Sequence, residues 1–302
     1  MKGLIEKLEN CIPKSCILEQ EPMSKHTTFR IGGPADYLLE PENVEQLLAV
    51  REILQEAGIP CFLLGNGSNL LVSDEGYRGA ILKVGSRMST ITVEGNRLIT
   101  GAGALMSQVA KAAWEHGLTG VEFASGIPGT IGGGITMNAG AYGGELRQVV
   151  TRVQVVTPQG EIRELTNEAM KFGYRHSIVK EQPLIVTEVE LELQPGDKEQ
   201  IKNLMDDLAT RRREKQPLEY PSAGSTFKRP EGYFAGELIM KADLRGFQMG
   251  GARVSDKHCG FVVNMGGATA ADVRAVIQAV QSRVWDCFQV KLEPEVIFLG
   301  FS

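Results

Sequence analysis

Between residues 41 and 58 apolar side chains recur at helical spacing. Val44, Leu47, Leu48, Leu54 and Ala57 share a stripe, Pro41 precedes it and Gly58 stops it, so the pattern predicts a helix over 41–58. Two short apolar runs follow, Cys61–Leu64 and Ala80–Val84, each read as a buried strand, and the turn-rich segment Gly65–Leu70 lies directly after the first. A β-α-β beginning fits this order. From residue 89 the period changes. Ile91–Val93 and Leu98–Thr100 flank the turn Glu94-Gly95-Asn96, a hairpin signal. A helix over 105–116 presents Val109, Ala112 and Ala113 and ends at Gly117. Strands are expected at 149–157 and 183–194, with a hairpin turn at Pro158-Gln159-Gly160. Asp197 should cap a helix running to about Arg213. Beyond Pro217 and Pro221 come a long helix over 270–288, with Val273, Val276, Ile277, Val280, Val284, Trp285 and Phe288 on one side, and a strand Glu295–Leu299. The elements mix without strict alternation. The class is α+β in three units, 1–85, 86–214 and 215–302.

Composition narrows the function classes. The 302 residues carry a net charge of -5, which gives no electrostatic footprint for nucleic acid or an anionic membrane surface. The single basic run, Arg211-Arg212-Arg213, sits among acids and reads as a solvated helix end. No apolar stretch reaches the roughly 18 residues of a membrane span. Met1–Asn10 alternates charge with single apolar residues and lacks a signal peptide's apolar run, so the expected place is the cytoplasm. The five cysteines are odd in number and scattered, as for reduced thiols. His26, His116, His176 and His258 show no ligand spacing, so no metal is expected.

Glycine is the anomaly: 35 residues, about 12% of the chain against a usual share of about 7%. Nine of the 25 residues in 120–144 are glycine. The Walker A, H-E-x-x-H and G-x-S-x-G patterns are absent, and neither Gly65-Asn66-Gly67 nor Gly101-Ala102-Gly103 completes a dinucleotide fingerprint. Two glycine-rich loops remain, 65–70 and 125–144. Small residues let successive backbone N–H groups approach an anion, so two such loops could hold an extended diphosphate. Ser68, Asn69, Ser125, Thr130 and Asn138 add polar contacts. The bland alternative is that both are merely tight turns, but two such loops with these polar residues favour a ligand. A second set of segments offers acid–base groups: Tyr174-Arg175-His176-Ser177, Ser222 to Lys228, and Leu292-Glu293-Pro294-Glu295. Spacing alone does not bring them together.

In this order the motifs resemble one family. They are His26-Thr27-Thr28-Phe29-Arg30-Ile31-Gly32-Gly33-Pro34-Ala35-Asp36, Leu64 to Leu71, Gly126 to Gly133, Asn138-Ala139-Gly140-Ala141-Tyr142-Gly143, Tyr174-Arg175, Ala223 to Lys228 and Leu292 to Val296. Over nearly its whole length the chain resembles the UDP-N-acetylenolpyruvoylglucosamine reductases, in their shorter, type II form. The resemblance implies an FAD-binding fold of the vanillyl-alcohol-oxidase (PCMH) type, with two FAD-binding subdomains over 1–85 and 86–214. A C-terminal α+β substrate-binding domain over 215–302 completes it. It implies FAD held without a covalent bond by Gly65, Asn66, Gly67, Ser68, Asn69 and Leu70 from the first loop. The second loop would add Ser125, Gly126, Ile127, Pro128, Gly129, Thr130, Gly132, Gly133, Asn138 and Gly140. NADPH would reduce the flavin, which would then reduce an enolpyruvyl sugar nucleotide for peptidoglycan precursor synthesis. By resemblance Arg175 is the stabilising cation, Ser225 the proton donor and Glu295 a second polarising group. Tyr142, Tyr174 and Lys228 would contact substrate or nicotinamide. Arg229 stands where an asparagine is frequent in the family. The partners implied are small molecules, with neither nucleic acid nor membrane. The rival readings, an alcohol oxidase of the same fold or a non-catalytic flavin-binding module, leave Arg175, Ser225 and Glu295 without a purpose.

Overall fold

The structure, a computed structural model, describes residues 2–301; Met1 and Ser302 lie outside the described residues. The chain divides into two compact units, each assembled from three segments. The first comprises residues 1–18, 38–66 and 80–212, the second 19–37, 67–79 and 213–302. The chain passes from one unit to the other inside the strands Ile17–Pro22, Pro34–Leu39 and Tyr77–Lys83, after Asn66, and within the helix Lys198–Lys215.

In the first unit the amphipathic stripe forms the helix Val44–Glu56. Its start lies after Pro41 because Asn43 supplies the cap, its side chain accepting the Gln46 N–H at 2.9 Å. Leu47, Val50 and Leu54 are buried, each worth about 1.5–3 kcal/mol relative to exposure. The strand Cys61–Leu64 pairs in parallel with Ala80–Lys83. It is not the buried strand the apolar run predicted: Leu63 is 39% exposed and only Leu64 is covered. The central sheet has five antiparallel strands in the order Ile162–Thr166, Val150–Val156, Ile185–Glu192, Arg97–Gly101 and Ile91–Glu94. On it, Arg97 and Arg152 both bond Glu190, and the Arg97 hydrogen bond foremost lowers the Glu190 carboxyl below its usual range. The helix Met106–Glu115 matches its period, and Asp197 caps the helix Lys198–Lys215 by accepting the Gln200 N–H at 2.9 Å. Inside the glycine-rich stretch lies a short helix that periodicity did not show, Ile131–Thr136, packed on the strand Ile185–Glu192.

In the second unit the long helix Ala270–Phe288 packs against the antiparallel strands Gln248–Met249, Ala252–Val254 and Val262–Asn264. Val273, Val276, Ile277, Val280 and Val284 are buried in one core with Phe29, Ile31, Leu71 and Phe227. Trp285, expected on this face, is 48% exposed, because it stands one 100° step beyond Val284. The last strand is shorter than predicted, Ile297–Leu299, and pairs in parallel with Leu70–Val72. Among the described residues no helix is long and apolar enough to cross a membrane, and no group of three His, Cys, Asp or Glu could hold a metal ion.

Candidate active site

The first unit brings parts of both glycine loops into contact. Asn66 donates its side-chain amide to the Pro128 carbonyl, and Thr130 caps the helix Ile131–Thr136 by accepting the Gly133 N–H. A Cβ on Gly65 would stand 2.5 Å from Thr130 Oγ1, so only glycine allows this approach. In the second unit Gly67 has φ 61 and a Cβ there would overlap the His26 carbonyl oxygen, so any side chain would displace the loop. No protein hydrogen bond from the backbone N–H of Gly65 or Asn66, both in the first unit, is found among the described residues. Consecutive donors without internal partners in a cradle too narrow for Cβ atoms suit an anionic diphosphate. The glycine helix behaves differently. The Ile131 and Gly132 N–H groups donate to Ala104 and Ala102 carbonyls at 2.7 and 2.9 Å, so these donors already hold the fold together.

Arg175 and Tyr174 form the tip of a tight turn whose base is the mutual pairing of Gly173 and His176. Tyr174 is 66% exposed and its ring lies 5.7 Å from the Arg175 guanidinium carbon. The buried Asn138 reaches this turn, donating to the Gly173 carbonyl at 3.2 Å.

The basic run departs from its predicted role at one residue. Arg211 pairs with Asp207 at 2.7 Å, as a helix-surface cation does. Arg212 instead packs against Gly126, where a Cβ would meet its Cδ at 3.1 Å. Burial lowers the Arg212 guanidinium pKa, opposed by the nearby Tyr142 phenol, and no carboxylate among the described residues pairs with it. Arg212 is thus a half-buried cation with no acid beside it, next to a predicted cofactor loop, and it is a candidate ligand group that sequence reading missed. Only the run itself signalled it.

In the second unit the acid–base segments converge. Phe227 bridges Pro294, Glu295 N–H donates to the Thr226 carbonyl at 2.8 Å, and Lys228 N–H donates to the Glu293 carbonyl at 2.9 Å. Ser225 and Glu295 therefore stand on neighbouring paired segments. Asn69 is tied to the same place: its side chain donates to the Glu295 carbonyl at 3.0 Å and its carbonyl accepts Ile297 N–H at 3.0 Å. Thr226 is buried and its hydroxyl accepts Val262 N–H, while Ser225, one residue earlier, is exposed. Lys228 forms an exposed ion pair with Glu293 at 3.1 Å. Of the three residues expected to carry the reaction, Arg175 belongs to the first unit, and Ser225 and Glu295 to the second.

Comparison with known proteins agrees with both halves of this picture. Residues 35–166 match the family model described as an FAD binding domain. Residues 216–299 match the one described as UDP-N-acetylenolpyruvoylglucosamine reductase, C-terminal domain. A UDP-N-acetylenolpyruvoylglucosamine reductase from Clostridioides difficile (strain 630) is 50% identical over 97% of this chain and 96% of its own length. The crystal structure of UDP-N-acetylenolpyruvylglucosamine reductase from Thermus caldophilus superposes with a TM-score of 0.81 at 34% identity, covering 94% of this chain and all of that one. A grass pollen allergen with glucose dehydrogenase activity, 14% identical with a TM-score of 0.50 over 65% of this chain and 44% of its own, shares the fold alone. The fold and the matched FAD binding domain thus define an FAD-containing oxidoreductase of the vanillyl-alcohol-oxidase type. Within that class the chain belongs to the UDP-N-acetylenolpyruvoylglucosamine reductase family.

Proposed function

We propose that this chain, in the cytoplasm, binds FAD without a covalent link and uses NADPH to reduce UDP-N-acetylglucosamine enolpyruvate to UDP-N-acetylmuramate for peptidoglycan synthesis. The observation that carries the reading is the pairing of the Ser225 segment with the Glu295 segment, in a chain whose C-terminal part matches that family. Residues 1–85 and 86–214 would serve as the FAD-binding subdomains and 215–302 as the substrate-binding domain. Gly65 to Leu70 and Ser125 to Thr130 would line the diphosphate, with Gly132, Gly133 and Gly140 keeping the second loop slender and Arg212 supplying positive charge. The close approach of Gly65 to Thr130, which a Cβ would fill, fits such a ligand.

When bound, FAD supplies the two-electron carrier, accepting hydride from NADPH and passing it to the terminal carbon of the enolpyruvyl group. The rest falls to the protein. Hydride arriving at that carbon leaves negative charge on the neighbouring carbon and its carboxylate, and the charge needs a fixed cation. Arg175 is that cation. Ser225 donates its hydroxyl proton to the carbanionic carbon, which completes addition of hydride and proton across the double bond. Glu295 polarises the reacting group, and Tyr142, Tyr174 and Lys228 hold substrate or nicotinamide. Purified protein is expected to be yellow, to bleach with NADPH under anaerobic conditions, and to regain colour when the enolpyruvyl nucleotide is added. Bleaching with no return of colour would remove the substrate assignment.

A further inference from the structure

We infer that Asn138 and Ser177 are positioning residues, which hold the Tyr174–Arg175 tip rather than any ligand. The inference rests on the reading of Arg175 as the cation of the reductive step. Its observations are all in the first unit. Gly173 N–H donates to the His176 carbonyl at 3.1 Å and His176 N–H returns to Gly173 at 3.3 Å, leaving two residues at the tip. Arg175 sits there at φ 52, a left-handed conformation that a side chain of its size seldom holds without outside support.

That support comes from both flanks of the turn. Asn138 is 3% exposed; its side-chain amide donates to the Gly173 carbonyl at 3.2 Å and to Glu145 Oε2 at 2.9 Å, and its Oδ1 accepts Arg147 N–H at 3.0 Å. Both amide protons are engaged inside the protein, which leaves none for a phosphate. On the other flank Ser177, fully buried, donates its hydroxyl to the Thr136 carbonyl at 3.0 Å. Thr136 is the last residue of the glycine helix and Asn138 lies two residues beyond it, so both anchors fasten the turn to one helix end. That helix begins at Thr130, in the cofactor loop. The segment that shapes the cofactor cradle therefore also fixes the direction of Arg175. A cation displaced by about 1 Å loses much of its effect on a developing charge, and such misplacement costs on the order of 100-fold in rate.

Two variants test this, Ser177→Ala and Asn138→Gly, the glycine keeping the positive φ of 43 at residue 138. Each is expected to slow reoxidation of the reduced holoenzyme by the enolpyruvyl nucleotide roughly 10- to 100-fold. The FAD dissociation constant, read from flavin fluorescence, should stay within about twofold, since it does not depend on the tip. In an Arg175→Ala background the same substitutions should add less than about twofold, because the group they position is gone. Full additivity in that background, or weakened FAD binding in Asn138→Gly, would overturn the inference. Unslowed reoxidation in Arg175→Ala alone would instead overturn the role given to Arg175 above, and the inference with it. Ser177→Ala removes a single oxygen from a packed site and carries the test if Asn138→Gly does not fold.

Discussion

At the scale of single residues, the adjacent pair Ser225 and Thr226 sets the proposed proton donor beside a structural neighbour. Thr226 is buried, with its hydroxyl, N–H and carbonyl bonded to Val262, Gly260 and Glu295. Ser225 is exposed. Removing its hydroxyl should leave the fold intact, so Ser225→Ala tests catalysis cleanly. Stopped-flow traces are expected to show reduction by NADPH near normal and reoxidation slowed about 100-fold or more, the usual loss for a positioned acid. Thr226→Ala should instead cost roughly 1–2 kcal/mol of stability by stranding the Val262 N–H. Equal slowing of both half-reactions in Ser225→Ala would take the serine out of the mechanism. Candidates of this kind can be singled out in the sequence because they sit in contiguous motifs. Arg212 cannot. Its neighbours in sequence, Arg211 and Arg213, make it resemble a solvated run, whereas its burial is set by Gly126, a partner that only the folded chain supplies.

At the scale of elements, periodicity located the amphipathic helices but not their ends. Local hydrogen-bonding chemistry sets those, as Asn43 does after Pro41. The helix Ile131–Thr136 escaped because three of its six residues are glycine, and its intrinsic propensity is poor. Tertiary contact overrides that preference. A Cβ on Gly132 would stand 2.9 Å from Ala102 Cβ and 3.1 Å from its carbonyl oxygen, whereas Gly133 is exposed and meets only Thr130 Oγ1, at 3.4 Å. Two alanines one residue apart should thus act oppositely. Gly132→Ala is expected to lose about 1–3 kcal/mol through overpacking against backbone. Gly133→Ala should be neutral or stabilising by up to about 1 kcal/mol, since helical alanine has less conformational entropy to lose. Urea denaturation compares them, and equal losses would mean that close packing does not explain these glycines. The strand Cys61–Leu64 was misread for a related reason: an apolar run fixes a strand's composition, while its coverage depends on what packs above it.

At the scale of the whole molecule, a net charge of -5 must coexist with anionic ligands, so attraction has to come from local cations rather than from the overall field. Arg212 is one such cation: partial burial lowers its pKa and no described carboxylate offsets its desolvation. If Arg212 is held for the ligand, it should weaken the apo fold and be compensated when an anion arrives. FAD that binds the native state alone should stabilise it by about 2.7 kcal/mol at 100 times its dissociation constant. Stripping the flavin should therefore lower the urea midpoint, and restoring it should bring the midpoint back. Arg212→Met keeps much of the apolar stem and drops the charge. Its apo form should be as stable as the wild-type apo protein or slightly more so, while the increment gained from a fixed FAD concentration shrinks. Gly65→Val should lose the increment as well, but its apo form should also be weaker, because the new side chain collides with Thr130. The two variants thus separate a residue held for the ligand from one held for the fold. An Arg212→Met protein with a weakened apo form and an undiminished FAD increment would place this arginine among the structural residues.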